Sequence, residues 1–218
     1  MTRRQPALTS TSSPFRTAEQ KLEDRAAKRN AVLRAAVQMF NARGFHATSL
    51  DDVAASLGIS KPTIYHYLGN KDQILLECLK LGLQQLLEAV AQARTLPGSG
   101  FDRLVRFLEC YAEVMMDDFG RCVIRTPQES LTPQSLPEYR DIKRKIDAAM
   151  RELIEEGIAD GSIAALDSRL LSFTLAGALN WTARWHNPDG EQDVGEIAST
   201  MVDILANGFT PANRPPPG

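Results

Sequence analysis

The 218-residue sequence contains few cysteines, and no two of them lie close together. Cys78, Cys110 and Cys122 are odd in number and widely spaced. This spacing excludes a disulfide framework and a C-x-x-C metal or redox site. We therefore interpret the three cysteines as reduced thiols in a protein core.

The chain also lacks a long hydrophobic run. Its longest nearly apolar stretch, LLSFTLAGALNW from Leu170, holds twelve residues and is interrupted by Ser172, Thr174 and Asn180. A membrane-spanning helix needs about 20 apolar residues. Two arginines near the N-terminus are followed by Ser, Thr and Pro instead of the apolar segment of a secretory signal. We expect no membrane span and a cytoplasmic protein.

Motifs of catalysis and nucleotide binding are absent as well. The histidines His46, His66 and His186 lie far apart, and the sequence has no H-E-x-x-H, P-loop, G-x-G-x-x-G or G-x-S-x-G pattern. A D-F-G triplet begins at Asp118, but the other kinase motifs are missing. We expect no enzyme activity, no catalytic residues, no metal site and no cofactor.

Charge is distributed unevenly along the chain. Residues 1–71 carry eleven Lys or Arg against five Asp or Glu, a net charge of +6. The remainder carries fourteen against twenty-two, a net charge of −8. A basic first third favours contact with a polyanion such as nucleic acid, although charged helix faces are often only solvated.

Apolar residues recur at helical spacing through most of the chain. Nothing alternates with a period of two for long enough to form a strand, so the predicted fold class is all-α. A Ser/Thr/Pro-rich start and a Pro-rich end have the composition of disordered segments. We divide the chain into a disordered basic arm, a DNA-binding domain, a larger helical domain and a disordered tail, at residues 1–20, 21–70, 71–209 and 210–218.

Two short helices joined by a tight turn are predicted after a first helix that ends at Gly44. Thr48 is placed to cap the first of the two, with Asp51 three residues later, and Gly58 ends it. Ser60 is placed to cap the second, whose proline lies in the first turn, where its missing N–H costs nothing. This arrangement is a helix-turn-helix, which lays its second helix in the major groove of DNA.

Side chains at the start of that second helix suit contacts with base edges. Lys61 can donate to guanine, Pro62 or Thr63 can meet a thymine methyl, and His66 can also reach the bases. Another group suits phosphates, which fix the register without reading sequence. That group comprises Thr48, Ser49, Tyr65, Tyr67 and Lys71, and Ser60 completes the predicted DNA-binding set. The alternatives are a core position for one of the tyrosines and an ordinary exposed histidine at His66.

The segment LRAAVQMFNARGFHATSLDDVAASLGISKPTIYHYLGNKDQILLECL, residues 33–79, resembles the DNA-binding region of TetR-family transcriptional regulators. The resemblance implies a three-helix N-terminal head and a larger helical domain that binds a small molecule. It also implies a homodimer formed by the last two long helices, here residues 167–186 and 191–209. Residues 167–186 leave almost no polar face, which independently predicts burial on both sides.

The segment LAGALNWTARWHNPDG, residues 175–190, resembles members of the family that respond to acyl-CoA thioesters. An acyl chain needs an apolar lining, and CoA phosphates need cations. The predicted ligand-binding residues are Phe107, Tyr111, Met115, Phe119 and Trp181 for the chain, and Arg121, Arg125 and Arg184 for the phosphates. The alternative for the apolar members is an ordinary core position, and Trp185 belongs either to the pocket or to the dimer interface.

These features predict a dimeric repressor that leaves a palindromic operator when a small hydrophobic effector binds, with an acyl-CoA thioester preferred. A flat hydrophobic drug or steroid would suit the same lining, which leaves an efflux-type regulator as an alternative. A constitutive architectural DNA-binding protein is the alternative of another class, but it leaves the acidic second domain without a purpose.

Overall fold

A computed structural model of the chain describes residues 17–208, and these residues contain helices and no β-strand. In chain order the helices are α1 Ala18–Arg43, α2 Leu50–Ser56, α3 Lys61–Leu68, α4 Lys71–Thr95, α5 Gly100–Met116, α6 Asp118–Arg125, α7 Leu136–Ala159, α8 Ser168–Asn180, α9 Thr182–Trp185 and α10 Val194–Asn207. The all-α prediction is confirmed. Within residues 17–208, no helix combines the length and apolarity that crossing a membrane requires.

Helices α1 to α3 form an N-terminal head around an apolar core. Val37 and Phe40 of α1, Val53 of α2 and Ile64 of α3 are all buried. Gly58, with φ +64°, turns the chain between α2 and α3, a backbone conformation that suits glycine. The predicted helix-turn-helix is therefore present, with Ile64 anchoring α3 against the other two helices.

The cap of α2 differs by one residue from the prediction. Ser49, and not Thr48, accepts a hydrogen bond from the backbone N–H of Asp52 and forms a capping box with it. Thr48 is 2% exposed, and its hydroxyl donates to the carbonyl of Gly44 at 2.9 Å. Its burial under the end of α1 removes it from the cap position.

The ends of the chain lie mostly outside the described residues. The predicted arm of residues 1–20 includes residues 1–16, which are outside, but α1 begins at Ala18 because Thr17 and Gln20 form a capping box. The predicted tail, residues 210–218, is also outside, and so is Phe209 at the end of the predicted last helix.

The body comprises α4 to α10. Helix α4 begins with the predicted Asn70 and Gln73 capping box and packs against α5, α6 and α7. Gly82 of α4 lies against the backbone of α6, where a Cβ would stand 2.8 Å from the carbonyl oxygen of Phe119. The glycine therefore permits a close approach of the two helices.

Two predicted helix boundaries were wrong. The single helix expected at residues 167–186 is broken at Trp181 into α8 and α9. The loop expected from Thr126 to Pro137 ends earlier, because α7 begins at Leu136 with Pro137 in its first turn.

Candidate functional site

Helix α3 presents one face to the core of the head and the other to solvent. Ile64 and Leu68 are buried, whereas Pro62, Tyr65 and His66 are exposed. Pro62, Tyr65 and His66 therefore face solvent in the single chain. This face has the exposure that contact with a DNA groove requires.

Acidic and hydroxyl groups surround the start of α3. The Lys61 ammonium donates to the Asp51 carboxylate at 2.7 Å, and this hydrogen bond raises the pKa of Lys61. The hydroxyls of Ser60 and Thr63 lie 2.9 Å apart. Lys61 is thus held at the start of α3 by a carboxylate from α2, in an exposed ion pair that solvent screens.

The remaining predicted DNA contacts differ in their accessibility. Thr63 and Tyr67 line a largely apolar groove between α1 and α3, with a volume of about 360 Å³. The Lys71 ammonium lies 4.3 Å from the centre of the Phe45 ring, and partial burial lowers the pKa of Lys71. Ser49 is exposed. Thr48 differs from the rest of the predicted set, because its hydroxyl is buried and donates to backbone carbonyls.

Four of the predicted effector residues, Phe107, Tyr111, Met115 and Phe119, form part of the buried core of the body. Phe107 and Met115 of α5 are 0% exposed. The rings of Phe107 and Tyr111 meet edge to face with centres 5.8 Å apart, and the Tyr111 hydroxyl donates to Asn180 Oδ1 at 2.9 Å. Burial raises the pKa of Tyr111 to about 12. Phe107, Tyr111 and Met115 line none of the body cavities described below.

The three predicted phosphate-binding arginines differ in their burial. Arg121 of α6 is 91% buried, and its Nε has no hydrogen-bond partner in the described residues. Arg125 is half-buried, and Arg184 is exposed and donates to the carbonyl of Ile124 at 3.0 Å. This last bond attaches α9 to the end of α6.

His186, which sequence reasoning treated only as an isolated histidine, follows α9, which packs against the α6 helix that carries Arg121. It follows α9 directly, its side chain is buried, and its Nδ1 has no hydrogen-bond partner in the described residues. Burial and, to a lesser extent, the charge of Arg121 lower the pKa of His186. No sequence motif pointed to this pair, because the two residues are far apart in the chain.

Cavities in the body lie away from most of the predicted effector residues. An apolar cavity of about 250 Å³ lies at the end of the body where α5 begins. Its lining includes Phe101, Leu104, Leu108, Ile163, Leu171 and Leu175. A second cavity of about 170 Å³ is bordered by Phe119 together with residues of α1 and α4. The sequence offered no signal for the first, because its lining follows the same apolar spacing as the core.

A large apolar surface remains open on α8 to α10. Trp181 is 64% exposed and Leu170 is equally so, and Phe173 of α8 and Ile204 of α10 are about half exposed. Trp185 adjoins this surface and lines a shallow cavity with residues of α10. We call these five side chains the α8/α10 face. The single chain covers only one side of α8, where the sequence predicted burial on both.

A segment of the body, residues 117–135, contacts α1 of the head at its start and the first turn of α4 at its end. We call it the α6 bridge. The Asn41 amide of α1 donates to the carbonyl of Asp118 at 2.8 Å. Beyond α6, the Asp72 carboxylate in the first turn of α4 accepts hydrogen bonds from Thr132 and Ser135. The α6 bridge therefore contacts α1, which precedes α3 in the chain, and α4, which follows it.

A head of three helices with an exposed α3, joined to a helical body with an open apolar face, defines a helix-turn-helix transcriptional regulator. The sequence comparisons then identify the family. Residues 32–78 match the family described as bacterial regulatory proteins, tetR family, and residues 97–209 match the family described as tetracyclin repressor-like, C-terminal domain. The chain belongs to the TetR family of transcriptional regulators.

Individual relatives agree with this assignment. The chain is 25% identical to the HTH-type transcriptional repressor KstR2 of Mycolicibacterium smegmatis, over 85% of this chain and 92% of that protein. It superimposes with a TM-score of 0.76 on the TetR-family regulator PfmR of Thermus thermophilus, at 28% identity, covering 83% of this chain and 99% of that one. AibR, crystallised with isovaleryl coenzyme A and operator DNA, gives a TM-score of 0.73 at 22% identity, covering 84% of this chain and all of that one.

Proposed function

We propose that this regulator is a homodimeric repressor that binds a palindromic operator through α3 and leaves it when a hydrophobic effector binds the body. The observation that carries the proposal is the division of α3 into a buried face at Ile64 and Leu68 and an exposed face at Pro62, Tyr65 and His66. Because operator DNA lies in the cytoplasm of a bacterium, we assign the protein to that compartment.

Residues on and near α3 take two roles in this proposal. The residues that read base edges are Lys61, Pro62, Thr63 and His66. To donate to guanine, Lys61 must give up its hydrogen bond to Asp51. The exposed or half-buried Ser49, Ser60, Tyr65, Tyr67 and Lys71 hold phosphates and set the register. Thr48 supports the turn between α1 and α2 from inside the head and takes no direct part.

A second copy of the chain supplies the missing partner of the α8/α10 face. Burying exposed aromatic and aliphatic side chains stabilises association by about 25 cal/mol for each Å² removed from water. Two copies related by a two-fold axis would present two α3 helices to successive major grooves of one operator. In the dimer, Trp181 and Trp185 lie at the interface.

The effector we propose is an acyl-CoA thioester. The support is the resemblance of residues 175–190 to acyl-CoA-responsive members and the fold shared with AibR, which was crystallised with isovaleryl coenzyme A. The described cavities are small, so the acyl chain has to open space between side chains such as Phe107 and Met115. Effector binding then selects a conformer in which these helices are displaced.

The α6 bridge provides the route from effector to DNA. A displacement of α6 acts on α1, a helix of the head, through Asn41. It also acts through Asp72 on the start of α4, which directly follows the head. The two α3 helices of a dimer would then no longer fit the spacing of the operator. The effector weakens DNA binding only by the factor by which it prefers the conformer that does not bind DNA.

The proposal is tested by fluorescence anisotropy on a labelled DNA fragment that the protein selects from genomic DNA at moderate salt. We expect octanoyl-CoA or another acyl-CoA to release the fragment. Release by hydrophobic cationic drugs alone would support the efflux-type alternative. Binding that no added molecule changes would support a constitutive DNA-binding protein.

A further inference from the structure

The side chain of Arg121 is largely buried and has no carboxylate partner in an ion pair within residues 17–208. No ion pair in the described residues includes Arg121, its Nε has no hydrogen-bond partner, and the side chain is 91% buried. A guanidinium keeps its charge across the physiological pH range, so it cannot escape the cost of burial by losing a proton. A buried charge without a partner is strongly unfavourable, and its retention calls for a partner that arrives from outside.

A second unpaired polar group adjoins the first. His186 is 92% buried, its Nδ1 has no hydrogen-bond partner in the described part of the chain, and it is close enough to feel the charge of Arg121. The Arg184 bond to the carbonyl of Ile124 holds the two helix ends together. Helix α6 thus supplies a cation and the end of α9 supplies an imidazole to one buried place.

We propose that Arg121 and His186 form a binding site for an anionic oxygen group of the effector, a carboxylate or a phosphate. A guanidinium and an imidazole N–H both donate to such oxygens, and charge-assisted hydrogen bonds of this kind are strong. The inference rests on the proposed function, because it assumes that the body binds an effector. It differs from the phosphate cluster expected from sequence, since Arg125 and Arg184 are not part of this site.

The site also connects the effector to the α6 bridge. Arg121 lies one turn after Asp118, whose carbonyl accepts the hydrogen bond from Asn41 of the head. An anion held by Arg121 and His186 binds α6 to α9 and so favours one position of α6. Occupancy of the site by an anion therefore changes the contact between body and head.

The test compares the full chain with Arg121→Met, which keeps the volume and removes the charge. Arg144→Met, an exposed arginine of α7, is the matched control. Calorimetric titration with octanoate, coenzyme A and octanoyl-CoA measures anion binding, and octanol supplies the same chain without the charge. If Arg121→Met does not fold, His186→Asn takes its place with the same expectations.

We expect at least one anion to bind the parent and the Arg144→Met control, and its Kd to rise roughly 30-fold or more in Arg121→Met. Loss of octanoate binding identifies a carboxylate, and loss of coenzyme A binding identifies a phosphate. Without ligand, Arg121→Met should melt about 3 °C or more above the parent, because an unbalanced buried charge has been removed. An unchanged Kd in Arg121→Met, or no binding of any of the three anions to the parent, overturns the proposal.

Release from DNA is measured separately on the parent and on Arg121→Met. If an acyl-CoA releases the operator from the parent and from Arg121→Met equally well, the proposed function stands and the anion site is wrong. If octanoate or coenzyme A binds through Arg121 but no acyl-CoA affects DNA binding, the anion site stands and the acyl-CoA proposal fails.

Discussion

The carboxylate of Asp72 accepts hydrogen bonds from both the backbone N–H and the hydroxyl of Thr132, at 2.8 and 3.0 Å. Asp72 lies in the first turn of α4, four residues after the end of α3, whereas Thr132 belongs to the body. A pair of bonds to one carboxylate fixes direction as well as distance. This contact joins the first turn of α4, which directly follows the DNA-binding head, to the segment that follows α6.

Replacing Asp72 by Ala should uncouple effector binding from DNA release. The variant loses the bonds to Thr132 and Ser135, while α3 and its exposed face remain. We expect operator affinity without effector to change less than about threefold and the effector concentration for half-release to rise at least about tenfold, a difference of roughly 1.4 kcal/mol in coupling. Anisotropy titrations of operator complexes measure both quantities.

The matched control for that experiment is Asp189→Ala, in the exposed loop after α9. It should respond to the effector like the parent. A normal response from Asp72→Ala would show that the bonds between Asp72 and Thr132 carry no signal.

Replacing Gly82 by Ala should destabilise the protein although alanine favours helices. Propensity alone would stabilise α4 by about 1 kcal/mol. The new Cβ, however, would stand 2.8 Å from the backbone of Phe119, which cannot rotate away. We expect the free energy of unfolding to fall by roughly 1–3 kcal/mol in a urea titration. An increase in stability would mean that α4 and α6 do not approach each other this closely.

Lys71 should contribute to DNA affinity without contributing to sequence choice. Its ammonium lies 4.3 Å from the centre of the Phe45 ring, and we propose that it contacts a phosphate and no base. Lys71→Ala should weaken binding to operator and random DNA by similar factors, and the slope of log K against log salt should be shallower by about 1.

Thr63→Ala gives the complementary measurement on α3. Loss of its contact with a base should lower operator affinity while random DNA binds as before, a loss of roughly 1–3 kcal/mol of discrimination. If Lys71→Ala and Thr63→Ala both bind operator and random DNA like the parent, α3 is not the element that contacts DNA.

Phe173→Glu should weaken the dimer. Phe173 is 52% exposed on the α8/α10 face, and a carboxylate there would be buried against the partner without a counter-ion in the proposed dimer. Sedimentation velocity should show the parent as a dimer and the variant shifted toward monomer at micromolar concentration. Arg144→Ala, on the exposed side of α7, is expected to sediment like the parent, and a dimeric Phe173→Glu would place the interface elsewhere.

Local signals made the head predictable from sequence. Gly44, Gly58 and the Asn70–Gln73 capping box act over three or four residues, so their effects can be recognised without knowing the fold. The exception is Thr48, whose tertiary position under α1 overrides its capping preference in favour of Ser49.

The all-α class of the body could be predicted from the sequence, but the packing of its side chains could not. Phe107 and Met115 share their helical spacing with ordinary core residues, so the sequence cannot separate a tunnel lining from a packed interior. The meeting of Arg121 and His186 depends on how α6 packs against α9, which no local pattern encodes.

Sequence-specific binding by a pair of α3 helices is the central claim, and a competition titration tests it most directly. The parent is bound to a labelled fragment selected from genomic DNA, and unlabelled specific or random duplex is added at fixed salt. We predict that random duplex competes at least about 10³-fold less well, and that one dimer occupies two half-sites about one helical turn or more apart. Equal competition by the two duplexes would contradict the account.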